Sequence, residues 1–171
     1  MESLTKSGAT PTFNTILGAL PPKESAARSS ATPLDRNKQV VERIWDDLVN
    51  GQRPESLEEL VSRDFVDHAP LPGLPCDLEG LRQRLQILHR AFPDFHSTIL
   101  DLVAENDKVV AFVLSEGTHR DDFAGVPATG RRFAMQEIQI LRIVGGKMVE
   151  HWQVADLFGM LVQLGLASSP W

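Results

Sequence analysis

Asp156 stands where chemistry is most readily imagined in this chain. In VEHWQVADLFGMLVQLG an alternating strand pattern gives way to a helical one, with apolar side chains on both sides of the carboxylate. An acid in such surroundings is costly unless it is hydrogen-bonded or used. Strand spacing groups Trp152, Val154 and Asp156 on one face and His151, Gln153 and Ala155 on the other. An apolar pocket disfavours the ionised form, so an acid sharing a face with Trp and Val could hold and release a proton near neutral pH. The same residue could instead cap the helix LFGMLVQLG, where backbone donors would keep it ionised.

Glu137 and Gln139 are polar residues inside an otherwise apolar strand, with the parity of Phe133, Met135 and Leu141. If that face lines a pocket, Gln139 is a substrate hydrogen-bond partner. Glu137 is then the same-sheet carboxylate that could pair with Asp156 around a water. Alternation alone leaves the opposite set, Ile138, Ile140 and Arg142, open as the inner face. Arg142 turned inward would anchor a carboxylate or enolate, although a sheet-surface salt bridge is the commoner fate of such an arginine. Trp45 belongs to an apolar helical stripe and is core or pocket wall. His151, opposite in parity to Asp156, fits a structural or interface role. His89 and His96 have no motif around them.

Elements of two kinds must position these groups. In DRNKQVVERIWDDLVNG, Val40, Val41, Ile44, Trp45 and Leu48 recur at helical spacing, with Asp35 as N-cap and Gly51 at the C-terminus. A short helix is expected near Pro54, ending before the turn-prone DFVDHAP. A third helix starts at Asp77, carries the stripe Leu78, Leu81, Leu85, Leu88 and Phe92, and stops at Pro93. Beyond Pro93 the period becomes alternating. Two strands turn between Glu105 and Lys108, and two more turn at Gly145-Gly146. Three helices before four strands argue for α+β, with helices on one face of a mainly antiparallel sheet. The loop RDDFAGVPATGR joins the two hairpins and is long enough to line an opening.

Residues 1–35 are rich in Ser, Thr, Ala and Pro and show no periodicity, which predicts a flexible or disordered extension ahead of a domain at 36–171. FNTILGALPP is its apolar island, and a docking segment is the minority reading of it. A formal charge of −6 disfavours nucleic acid and anionic membrane surfaces as partners. Cys76 is alone, which excludes a disulfide within the chain and suits a reducing compartment. With no secretory layout and no membrane-length apolar run, a cytoplasmic protein is expected. The five histidines lack metal-ligand spacing. GVPATG and IVGG are turn glycines, because neither sets a run of amides before a helix.

Taken in order, DFVDHAP, AFPDFHSTILDLVAENDKVVA, EGTHRDDFAGVPATGRRF, ILRIVGGKMVEHW and the D-LFGMLVQLG segment resemble the SnoaL-like polyketide cyclase (ester cyclase) family over about residues 36–166. That family has the cone-shaped fold of the nuclear-transport-factor-2-like (NTF2-like) superfamily. The resemblance implies N-terminal helices packed on a curved sheet, an apolar pocket between them, no metal or organic cofactor, and a homodimer or homotetramer. It also implies a cyclase or isomerase acting on a polyketide-like carbonyl compound, by an intramolecular aldol closure in which an aspartate moves protons. The matching position is Asp156. His68 in DFVDHAP would assist from the pocket, with a histidine bonded to its own turn as the alternative. His119, Trp152, Trp45, Gln139 and Glu137 would contact an apolar small-molecule substrate. At Arg120 and Asp121 the chain departs from the family's short residues, which alters the pocket mouth. The absence of Tyr disfavours an oxyanion hole of the ketosteroid-isomerase type. A non-catalytic binding module and an epoxide-opening hydrolase of the same fold are the rival functions, since one fold hosts many chemistries.

Overall fold

The computed structural model describes residues 31–168. FNTILGALPP and most of the expected extension lie outside the described residues. The first helix, α1 (Pro33–Ile44), begins earlier than the sequence suggests. Thr32, not Asp35, is its N-cap, and the two form a capping box in which each side chain takes the other's backbone N–H. The helix continues as one π-helical turn, Trp45–Val49.

A 3-10 turn (Pro54–Ser56) and a one-turn helix, α2 (Leu57–Leu60), lead into β1 (Val61–Asp67). This strand corrects the expectation of a turn at DFVDHAP and raises the strand number among the described residues to five. It pairs in parallel with the final strand, so no hairpin signal betrays it. Helix α3 (Leu78–Ala91) follows, capped by Asp77 and ended before Pro93. The two antiparallel hairpins are β2 (His96–Glu105) with β3 (Lys108–Thr118), and β4 (Arg132–Val144) with β5 (Lys147–Ala155). Helix α4 (Leu157–Leu164) follows β5 and ends at Gly165, whose φ of 74° is the left-handed conformation that a glycine at a helix C-terminus adopts without strain.

Strand order is β1-β5-β4-β3-β2, so the architecture is α+β: among the described residues, four helices lie against a curved, mainly antiparallel sheet. One core cluster joins Val41, Ile44, Trp45 and Leu48 to Val109, Ala111, Val113 and Leu141. A second gathers Ala91, Phe92, Phe133, Met135, Met160 and Leu164 under α4. The junction of α1 with the sheet is polar but satisfied. Trp45 Nε1 donates to Ser97 Oγ at 3.0 Å, and Asn50 makes paired bonds with the backbone of Ser97.

Candidate functional site

A cavity of about 410 Å³ lies between the sheet and the helices, a size suited to a small organic ligand. Its apolar walls include Trp45 and Leu48 from the end of α1, Leu81, Leu85 and Leu88 from α3, and Phe133, Met135 and Leu141 from β4. The loop segment Ala69–Pro72, Phe123 of the long loop, and Leu157 and Met160 of α4 also line it.

The inner face of β4 carries Glu137 and Gln139, which resolves the ambiguity of alternation in favour of the odd-numbered set. Ile138 and Arg142 point outward. Arg142 bonds Asp107 at 2.7 Å and Glu150 at 2.5 Å, and both bonds push its proton affinity up.

On β5 the expected faces are reversed. Arg142 pairs with Glu150 and Ile143 with Met148, leaving Val149 as an extra residue in the ladder. Such a bulge shifts every later side chain to the other face. His151, Gln153 and Ala155 therefore line the cavity, while Trp152 and Val154 do not. Trp152 is corrected from substrate contact to the outer sheet face, where His68 stacks on it with ring centroids 4.4 Å apart. His68 itself is exposed and bonds Glu150 at 2.9 Å, so it too stands away from the cavity.

Asp156 also lies outside the cavity. Ala155 is the last residue of the strand, and the chain turns at Asp156 so that its Oδ1 accepts from the Gly159 amide at 2.9 Å; the side chain is exposed and serves as the N-cap of α4. No pairing of Asp156 with Glu137 around a water is available within the cavity. His119 is fully buried, but against Phe92, with Nδ1 at 3.2 Å from Thr129 Oγ1, and it is off the cavity wall.

What the structure brings together is a polar cluster set in this apolar lining. Gln153 and Gln139 both donate to Glu137 Oε2, the latter at 3.2 Å. Gln139 Oε1 lies 3.1 Å from His151 Nε2, and His151 Nδ1 lies 3.0 Å from Asp67 Oδ1. Arg84 donates to Gln153 Oε1 and sits 3.6 Å from Asp67 Oδ2. Burial works against the ionised form of Asp67. The bonds from His151 and the Ala69 amide and the charges of His151 and Arg84 outweigh it, holding this carboxyl below its usual range. His151 is pushed down, first by burial and then by the Arg84 charge, against the opposing pull of Asp67 and Glu137. Among the described residues no three His, Cys, Asp or Glu side chains converge as metal ligands.

Asp67, Arg84, Gln153 and the inward His151 are the members that sequence reading missed as site residues. Arg84 had left a trace, because it is spaced i+3 from Leu81 and i−4 from Leu88, on the apolar stripe of its helix. Asp67 shares the parity of the buried Phe65.

Comparisons with known proteins agree with this architecture. The chain is 28% identical over 126 residues to the nogalonic acid methyl ester cyclase of Streptomyces nogalater, a match covering 71% of this chain and 90% of that one. Among solved structures, IdmH of Streptomyces antibioticus, a candidate polyketide cyclase, superposes with a TM-score of 0.67 at 35% identity, covering 75% of this chain and 98% of its own. TsrD of Streptomyces laurentii gives 0.70 at 29% identity, over 82% and 100%. The SnoaL-like polyketide cyclase family profile matches residues 39–164, and the chain belongs to that family.

Proposed function

We propose that this chain is a cyclase that closes a carbon ring in a polyketide-derived ester by intramolecular aldol addition, with Glu137 as the group that moves the proton. The observation that carries this reading is a carboxylate held inside an apolar cavity with both of its amide donors on one oxygen. That arrangement leaves Oε1 of Glu137 for a substrate.

In the reaction Glu137 removes a proton alpha to one carbonyl, the resulting enolate carbon attacks a second carbonyl, and the protonated Glu137 returns the proton to the oxygen that gains charge. Ser97 and Ser115 line the same cavity. Ser97 Oγ accepts from Trp45 Nε1 and from Ser115 Oγ at 3.1 Å, so its own hydrogen is left to donate to a substrate carbonyl. The curated relative is a cyclase of nogalonic acid methyl ester, and that ester is the first substrate to try.

The test compares wild type with Glu137→Gln and Asp156→Ala on that ester, following the ring-closed product by chromatography. Glu137→Gln is expected to keep the fold and lose about 10²- to 10⁴-fold in turnover, the usual worth of a positioned acid/base. Asp156→Ala is expected to turn over at the wild-type rate. The opposite ranking would return the reaction to the helix cap. Tight binding of esters with no product from any of them would favour a binding module.

A further inference from the structure

The polar cluster is a closed ring. Running Asp67, His151, Gln139, Glu137, Gln153, Arg84 and back to Asp67, each neighbour is hydrogen-bonded or ion-paired to the next. Counting donors and acceptors around it fixes all but one choice. Arg84 can only donate, so Gln153 must present its oxygen to Arg84 and its NH2 to Glu137. Asp67 is ionised and can only accept, so the hydrogen on His151 Nδ1 is also fixed.

Gln139 stands between these fixed ends with two settings. In the observed one its oxygen faces His151 Nε2 and its NH2 faces Glu137. That setting is satisfied when His151 carries a second hydrogen and Glu137 is ionised. Turned over, the amide donates to a neutral imidazole and accepts from a protonated Glu137. Neutral His151 with ionised Glu137 satisfies neither setting, because one end of the amide then faces a group of its own kind and a buried hydrogen bond is forfeited.

We infer that the ring holds one mobile proton, carried by either His151 or Glu137, and that rotation of the Gln139 amide accompanies its transfer between them. Both placements leave Asp67, Arg84 and the pair with no net charge, the condition an apolar cavity favours. Burial, and then the Arg84 charge, push the proton affinity of His151 down, against the pull of Asp67 and Glu137. The functional meaning rests on Glu137 as the proton-moving group. While His151 holds the ring's proton, Glu137 is the base that takes the substrate's alpha proton, and the imidazolium offsets the enolate charge. Gln139 and His151 are thus positioning residues for Glu137.

The test is NMR of the full-length chain without substrate, isotope-labelled at His and Glu, with the His151 and Glu137 signals assigned through His151→Asn and Glu137→Gln. Between about pH 5.5 and 8, where an imidazole ordinarily titrates, the protonated fraction of His151 Nε2 and that of the Glu137 carboxyl are expected to sum to one in the wild type. In Gln139→Leu the sum is expected to fall well below one at the upper end of that range. In Glu137→Gln, His151 is expected to be neutral throughout it. A neutral His151 beside an ionised Glu137 in the wild type would overturn the inference, as would a sum unchanged in Gln139→Leu. The cyclisation assay is read separately. Lost turnover in Glu137→Gln with a sum far from one leaves the functional reading standing without the shared proton, and the reverse result leaves the shared proton without the function.

Discussion

Glu137 and Asp156 show how two carboxylates only 19 positions apart part company through backbone geometry. Glu137 is 5% exposed and meets two side-chain amides, whereas Asp156 is exposed and meets a helix amide. Removing a cap of the second kind ordinarily costs about 0.5–2 kcal/mol. Asp156→Ala is therefore expected to lower the thermal midpoint by a few degrees, through fraying of α4, without touching ring closure. Circular dichroism melts alongside the turnover assay check both halves. A midpoint unchanged within error would show that Met160 and Leu164, buried beneath the helix, hold α4 without the cap.

At the scale of elements, the sequence was legible where structure is local. The start of α3 at Asp77, the stop before Pro93 and the turn at Gly145-Gly146 each follow from the conformational limits of one or two residues. Two features are non-local and left no such mark. Strand β1 is held by parallel pairing to β5, the most distant strand in sequence, and the bulge at Val149 inserts one residue where alternation would continue. That single insertion decided the site, since it turned His151 and Gln153 inward and Trp152 outward. The loop between β1 and α3 is tied at both ends of this arrangement: Asp67 N donates to Cys76 O at 2.8 Å, and Gly80 packs against the Pro75 carbonyl. A Cβ at Gly80 would overlap the Pro75 oxygen and lie 2.7 Å from its carbonyl carbon. Gly80→Ala is expected to cost about 1–3 kcal/mol, as overpacking does, and to displace residues 75–76 from Asp67 and so disturb the Asp67–His151 bond. Urea unfolding and the KM for the ester should both shift. A stability loss with an unaltered KM would separate the loop from the cavity.

Over the whole molecule, the sheet has apolar residues on both faces. On the outer face Phe112 pairs with Ile138, Val110 with Ile140, Ile138 with Val154 and Ile140 with Trp152, and Val154 is 76% exposed. An antiparallel sheet facing water ordinarily alternates to polar there. We propose that a second copy of the chain covers this face. Its rim carries both Lys108 and Arg142 and both Asp107 and Glu150, so a two-fold arrangement can set opposite charges together. Sedimentation is expected to give a dimer or tetramer mass for the wild type and a monomer for a folded Val154→Glu; a monomeric wild type would refute it.

The carboxylates set how the molecule meets acid. Arg142 hydrogen bonds hold Asp107 and Glu150 below their ordinary values, and Thr118 does the same for Asp94. Asp67 joins them through His151. In each case the unfolded chain takes up the proton first as pH falls, so the stabilisation is complete above the ordinary values, 4.5 for Glu150 and 3.8 for the aspartates, and is lost as pH falls through the lower folded ones. For these groups the thermal midpoint should be level down to about pH 5 and drop steeply below about pH 4. Arg142→Met removes the partner of two of the four. Because that arginine is half exposed, the change at neutral pH should be small. The acid limb should become shallower, since Asp107 and Glu150 would each lose the bond that lowers its proton affinity most, Glu150 keeping the one to His68. An acid limb of unchanged slope in Arg142→Met would assign the sensitivity to Asp67 and Asp94 alone.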